Sequence, residues 1–449
     1  MTLTDRRRDR LTAAGLFVGL VLVYNSNGRE IGSFDTQPTK FAAREYLLRG
    51  TLSLNHVVGA TPQYATRWGF ILAADGNYRS IYSPLPALMA AAVTWPLWQS
   101  GVVDVRAPRA PALMAVLTAS LLVALAVTLA FLHARLVLPR GRALLLAVGL
   151  GLGTGFWSTA SQTLWQTETA VLGLSLAVVG FAAPGERISG RGAAAIGIGL
   201  GLAGATRPQL APVVAILLAG TWVRSTPRHA LVATGLVAAF AAGVCAANLR
   251  WFGHPLGALP LLQETNALVH GTRESFDLRL EGFLGLLVSP SRGLFVFSPV
   301  VLVAAAGVAR ALTAGLRSPL PWCVLALAAQ YALYGSYAVW WGGHTYGPRY
   351  LLDILPLAVP LAVAAMVPTY GRSTRVLATA MLAWSIVVSA TGAFCYPYDE
   401  WNVDPNDVDR NHARLWSVAD NQIARCWRRG PSPQNFNLID RTAFRRTTE

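Results

Sequence analysis

Apolar residues recur in long runs along almost the whole chain, and short polar segments carrying most of the arginines separate them. A membrane-spanning helix needs roughly 20 apolar residues. Runs approaching that length occupy 11–25, 111–133, 143–160, 165–184, 193–206, 209–223, 229–249, 294–313, 319–337, 350–368 and 376–394. They predict an all-α polytopic membrane protein with about 11 transmembrane helices. The runs 193–206 and 209–223 are short; two spans or one re-entrant hairpin both fit, and both leave the later segments on the same sides of the membrane. Residues 84–100 carry Pro84, Pro86 and Pro96 with Trp95 and Trp98, which suits an interfacial helix better than a span.

Charge sets the orientation. With 84–100 kept at the surface, one side of the membrane collects Arg6, Arg7, Arg8 and Arg10, then Arg135, Arg140 and Arg142. The same side collects Arg187, Arg191, Arg224, Arg228, Arg310, Arg317, Arg372 and Arg375. The positive-inside rule makes that side cytoplasmic. The expected placement is a bacterial inner membrane, with the N-terminus inside and the C-terminus outside. The Arg-rich start runs into apolar sequence with no small-residue cleavage site, which reads as a retained first span. Residues 1–394 then form a transmembrane domain whose first outer loop is 26–110. Further outer segments are 250–293 and 338–349, and 395–449 is a small non-cytoplasmic tail.

Composition narrows the class further. Charged residues make up 13% of the chain, against about 25% in soluble domains. The net charge of +15 lies in clusters between apolar runs rather than on one soluble face, which argues against nucleic acid as a partner. Lys40 is the sole lysine, a bias that GC-rich codon usage explains. Cys245 and Cys323 lie in apolar runs and read as packing residues. Cys395 and Cys426 lie in the tail, where export would let them pair as a disulfide.

Mid-span positions are overwhelmingly Ala, Leu, Val and Gly, whereas transporters tend to place ionisable groups near the bilayer midplane. The polar chemistry collects in the outer segments instead. Asp35 precedes a helix start marked by Pro38; it is placed to accept a proton from a hydroxyl or amine, or only to complement a helix dipole. Lys40 and Arg44 share a helical face beside Glu45 and offer either a phosphate site or a solvated face. Arg207, in Thr206-Arg207-Pro208-Gln209, suits a lipid phosphate held bidentately or a snorkelling side chain. Arg292 follows a Ser-Pro-Ser turn. The stretch Trp340-Trp341-Gly342-Gly343-His344-Thr345-Tyr346-Gly347-Pro348-Arg349-Tyr350 combines rings suited to a sugar face with an arginine suited to phosphate; an aromatic interface belt is the alternative. Glu168, at the head of a span, is a candidate second acid or a dipole-complementing residue. His254, His270 and His344 show no His-x-x-x-His or Glu/His spacing that points to a metal.

Taken together, these residues resemble the GT-C class of membrane glycosyltransferases, in particular the branch of protein O-mannosyltransferases and lipid A aminoarabinose transferases. The likeness rests on the early acid of a long first outer loop, the interfacial helix after it, the Thr206-Arg207-Pro208 turn, and Gly-Pro-Arg-Tyr-Leu-Leu-Asp-Ile-Leu-Pro at 347–356. The resemblance implies transfer of a sugar, with inversion, from a polyprenyl-phosphate carrier to a lipid, glycan or protein acceptor at the outer face. Asp35 would be the general base. Arg207, Arg292 and Arg349 would hold the carrier phosphate, and Lys40, Arg44, Glu168, His344 and Tyr350 would complete the substrate site. Many relatives carry paired acids in the first loop, whereas Thr36 follows Asp35 here. Use of a divalent metal is therefore open, as is a second acid at Asp75 or Glu168, and no other cofactor is implied. Two competing readings are a lipid-linked carrier or flippase without chemistry and a non-catalytic scaffold.

Overall fold

The computed structural model describes residues 3–185, 187–258, 276 and 278–439. It is built mostly of helices, with a two-stranded antiparallel hairpin, Phe70–Leu72 against Tyr78–Ser80, in the first loop. Three described helices are long and apolar enough to cross a membrane: Ala110–Arg135, Pro227–Phe252 and Arg372–Cys395. Only 11% of the most apolar window of Pro227–Phe252 is buried inside the protein, at a mean hydropathy of 2.1. Water would tolerate such an uncovered apolar face poorly, and lipid covers it without cost.

Helix Leu3–Tyr24, with 22 residues, carries the first predicted span behind its arginine-rich start. The remaining predicted spans are shorter or interrupted, so the described residues do not form eleven full-length helices. Run 294–313 divides into Leu294–Phe297, a 3₁₀ turn Pro299–Val301 and Leu302–Leu312. Run 350–368 divides into Arg349–Leu352 and Leu355–Met366, and run 143–160 into Arg140–Leu152 and a π-turn Phe156–Ala160. Proline locates two of the breaks, because Pro299 and Pro356 lack the N–H an uninterrupted helix would use and fit a new first turn. The short pair at 193–223 is two helices, Gly190–Thr206 and Ala211–Arg224, joined through Arg207. The helix Leu85–Gln99 has 15 residues; at about 1.5 Å per residue it falls short of the ~30 Å apolar core of a bilayer.

The arginine-bearing segments that the sequence puts on one side meet one another at the helix ends. Arg135 and Arg140 both pair with Asp9, at 2.9 and 2.8 Å. Arg142 donates to the carbonyls of Met366, Val367 and Pro368, and Arg310 to that of Ala364. Arg224 donates to the carbonyls of Phe181 and Arg317. Orphan carbonyls at helix C-termini need such donors.

Helices Thr167–Phe181 and Gly190–Thr206 pack through facing glycines, where a β-carbon on Gly173, Gly180 or Gly199 would overlap the opposite backbone and one on Gly192 would press tightly against it. In the first loop, the helix Gln37–Arg49 packs with Leu85–Gln99 and Ala110–Arg135 around a separate apolar cluster including Leu54, Val105 and Met114. The tail is not a loose appendage. Cys395, Tyr396, Ile423 and Cys426 share a core with Ile31, Phe297 and Tyr346, and Cys395 is joined to Cys426. The amides of Phe436 and Leu438 donate to the carbonyls of Asn27 and Gly28. Buried Arg29 holds the crossing, donating to Asn435 and to the carbonyls of Ala393 and Tyr396.

Candidate active site

A cavity of about 900 Å³ opens among the first loop, the segment 165–209, the loop 334–350 and the tail, within the range of small-molecule sites. Asp35 reaches it from the 3₁₀ turn Phe34–Thr36, where the Ser33 hydroxyl accepts the Asp35 amide at 3.2 Å. Pro38, in the first turn of the helix Gln37–Arg49, fixes where that helix starts. Arg349 comes from 314 residues away, and its Nη1 donates to Asp35 Oδ2 at 3.0 Å. The Trp165 ring lies 4.5 Å from the Arg349 guanidinium and the Tyr350 ring 5.5 Å, contacts that hold a planar cation well. Arg349 Nε is buried without a hydrogen-bond partner. Gly342 and Gly343, with φ of 76° and 69°, let the loop turn tightly beside this group.

Arg207 supplies a second cation to the cavity wall. Its Nη1 donates to Thr167 Oγ1 at 2.9 Å and to Asp353 Oδ1 at 3.2 Å, and Tyr334 O–H donates to Asp353 Oδ2 at 2.9 Å. Tyr334 stacks on Tyr350 with centroids 5.1 Å apart, and Tyr337 meets Tyr350 edge-on at 5.9 Å. Contacts therefore run without a gap from Asp35 through Arg349, Tyr350 and Tyr334 on the wall to Asp353 behind it, and from there to Arg207. Tyr82 also lines the cavity and accepts Trp68 Nε1–H at 2.9 Å. Burial, then the nearby Asp35 carboxylate, pushes its phenol well above the ordinary range, keeping it a neutral hydroxyl.

His344 stands at the tail side of the cavity. Its Nε2 lies 3.0 Å from Asp407 Oδ1 and 3.6 Å from Asp409 Oδ2, and Trp341 Nε1 donates to Asp409 Oδ1 at 2.7 Å. Burial raises the Asp407 carboxyl, but the His344 hydrogen bond and the Asp409 amide outweigh it and hold the group below the usual range. One ligand atom from each of His344, Asp407 and Asp409 falls within 4.8 Å of the others. An imidazole with two carboxylates is a donor set that divalent metals accept. The three also satisfy one another without an ion, since His344 and Asp407 already form a hydrogen-bonded pair.

Asp35, Arg207, His344, Arg349 and Tyr350 thus share one cavity, whereas four other candidates lie outside its lining. Arg292 is wholly buried, and its guanidinium donates to the carbonyls of Trp341, Ser291 and Gly343 and to Gln422 and Asn402. It pins the 341–343 loop to the tail, and all its guanidinium nitrogens are engaged within the protein. Lys40 is engaged with Glu30 at 2.6 Å, and Glu30 also accepts the Thr163 hydroxyl. Arg44 is half-buried, and Glu45 pairs with Arg49 instead. Glu168 is buried at the head of the helix Thr167–Phe181, both carboxylate oxygens lacking a hydrogen-bond partner. Asp75 pairs with Arg79 in the hairpin. His254 Nδ1 accepts the Leu256 amide, and His270 lies outside the described residues. Sequence reasoning missed Asp353 and Tyr334. Local sequence carried no signal for Asp353, which lies just past the helix Arg349–Leu352 and is engaged by Arg207 and Tyr334 from other segments.

No protein-family model and no curated protein sequence matches the chain. Among solved structures it is similar to the archaeal oligosaccharyltransferase AglB from Archaeoglobus fulgidus in complex with an inhibitory peptide and a dolichol-phosphate, at a TM-score of 0.45 and 11% identity, covering 97% of this chain and 64% of that one. An Archaeoglobus fulgidus oligosaccharyltransferase tethered through a disulfide bond to an acceptor peptide containing the NVT sequon gives a TM-score of 0.42 at 11% identity, covering 96% of this chain and 63% of that one. The chain therefore spans less than two thirds of the length of these structures.

Proposed function

We propose that this protein is a membrane glycosyltransferase that moves a sugar from a polyprenyl-phosphate carrier to an acceptor at the membrane surface. The observation that carries the reading is the Asp35–Arg349 pair, at 3.0 Å, on the wall of a ring-lined cavity that also presents Arg207. A water-insoluble carrier brings its phosphate to the bilayer surface, where arginines match its charge and geometry. A phosphate entering between Arg349 and Arg207 takes over Arg349 as its counter-ion and frees the Asp35 carboxylate. The acceptor oxygen then attacks the anomeric carbon while Asp35 takes its proton. The anomeric C–O bond to phosphate breaks, its electron pair stays on the phosphate oxygen, and the two arginines stabilise the charge that develops there. The aromatic side chains offer faces for the sugar ring. Attack opposite the phosphate inverts the anomeric centre.

The test uses purified protein with radiolabelled polyprenyl-phosphate sugars and membrane extract. Wild type is expected to transfer label to an acceptor. Asp35→Asn is expected to keep donor binding and lose ~10²–10⁴-fold in rate. Movement of intact labelled lipid across proteoliposomes, undiminished in Asp35→Asn and without transfer, would mark the protein as a carrier instead.

A further inference from the structure

A second cavity, of about 500 Å³, lies between the helices Arg140–Leu152, Leu302–Leu312, Leu355–Met366 and Arg372–Cys395, and shares no lining residue with the first. Its walls are aliphatic. Small residues such as Gly149, Ala304, Ala358, Ala362 and Ala378 stand where larger ones would close it. Protein interiors pack to near-crystalline density, so an apolar groove of this size, open at the helix surface, matches an apolar occupant. Its polar lining includes Arg142, Arg375, Thr374 and the Tyr370 hydroxyl, and no Asp or Glu is among the described residues lining it.

The two arginines are held differently. Arg142 is fixed by donating Nη1 to three carbonyls, those of Met366, Val367 and Pro368. Arg375 is exposed in the first turn of the 24-residue helix Arg372–Cys395, whose dipole adds partial positive charge. Both belong to the arginine-bearing segments gathered at the helix ends, where the positive-inside pattern puts anionic headgroups.

We propose that this groove binds a membrane phospholipid, one acyl chain lying along Gly149 and Ala378 and its anionic headgroup phosphate against Arg375 and Arg142. The charge pattern selects an anionic lipid over a zwitterionic one, because two cations face the headgroup with no acid among the described lining residues. The inference is independent of the transferase reading.

The test titrates delipidated full-length protein with phosphatidylglycerol, phosphatidylcholine or polyprenyl phosphate, and reads the thermal midpoint and bound lipid by native mass spectrometry. Phosphatidylglycerol is expected to bind at least about tenfold more tightly than phosphatidylcholine. Arg375→Ala, which removes no hydrogen bond from the Arg375 side chain to a described residue, is expected to erase most of that difference. Ala378→Phe, filling the groove, is expected to abolish binding of either phospholipid without lowering the lipid-free midpoint. Equal affinity for both phospholipids, or full binding by Ala378→Phe, would overturn the proposal. So would polyprenyl phosphate displacing phosphatidylglycerol from this groove, which would assign it to the carrier.

Discussion

Asp399 is buried in the tail beside the Cys395–Cys426 bridge, its carboxylate oxygens without a hydrogen-bond partner. Burial, opposed by the Arg292 charge, pushes its pKa up from 3.8 to about 6. Below about pH 4 the carboxyl is protonated whether the tail is folded or not. As pH rises from there toward 6, the unfolded form releases its proton first, so stability falls across that window and levels off above it. The shift corresponds to about 3 kcal/mol. Unfolding followed by Trp401 fluorescence between pH 4 and 8 should show this decline, and Asp399→Asn should flatten it; stability that rises with pH in the wild type would refute the assignment. Arg292 shows what the sequence could not reveal at this scale. It heads an apolar run after a proline-bearing turn, as Arg349 does, and nothing in local spelling separates them. What separates them is distant: Gln422 and Asn402 engage Arg292, while Asp35 and Trp165 hold Arg349 with its Nε still unpartnered.

Helices were legible wherever apolar residues ran unbroken, as in Ala110–Arg135, Pro227–Phe252 and Arg372–Cys395. Interruptions within runs were not. Leu352-Asp353-Ile354 and Gly153-Thr154-Gly155 are short enough for hydropathy to average over, yet both end helices. Asp353 can leave the helix there because Arg207 and Tyr334 wait for its carboxylate. The glycine contact between Thr167–Phe181 and Gly190–Thr206 makes a sharper claim. Close helix approach through small residues is a common way to pack in lipid, and a larger side chain forces the backbones apart. Gly199→Leu should lower stability by at least about 3 kcal/mol, at or above the usual range for overpacking. Gly235→Leu, where a β-carbon meets nothing within 4 Å, should be near neutral. Thermal unfolding in one detergent compares the two, and equal midpoints would mean the helices are not so closely packed.

For the whole molecule, the tail decides how the cavity end is closed. Trp401 is fully buried, with the guanidinium groups of Arg292 and Arg414 at 5.3 and 4.7 Å from its ring. His344, from the loop before Arg349, meets Asp407 of the tail. The sequence marked 395–449 as a separate piece because its apolar periodicity stops; it could not show that this piece is built into the first loop. The Cys395–Cys426 link spans 31 residues, so the chain-entropy account gives about 3–4 kcal/mol of stabilisation. Cys395→Ser should lose about that much, and maleimide labelling of the unreduced wild type should leave Cys395 and Cys426 unmodified. Rapid modification of both would rule the link out.

The crossing of residues 435–438 over 27–29 also bears on biogenesis. Asp35 sits six residues beyond Arg29, on the stretch that the last described residues fasten down. During vectorial synthesis residues 27–29 leave the ribosome long before residues 435–438, and the described helices from Gln37 to Arg429 come in the interval. The stretch that carries Asp35 therefore stays unfastened in a nascent chain until that later segment has followed and crossed over it.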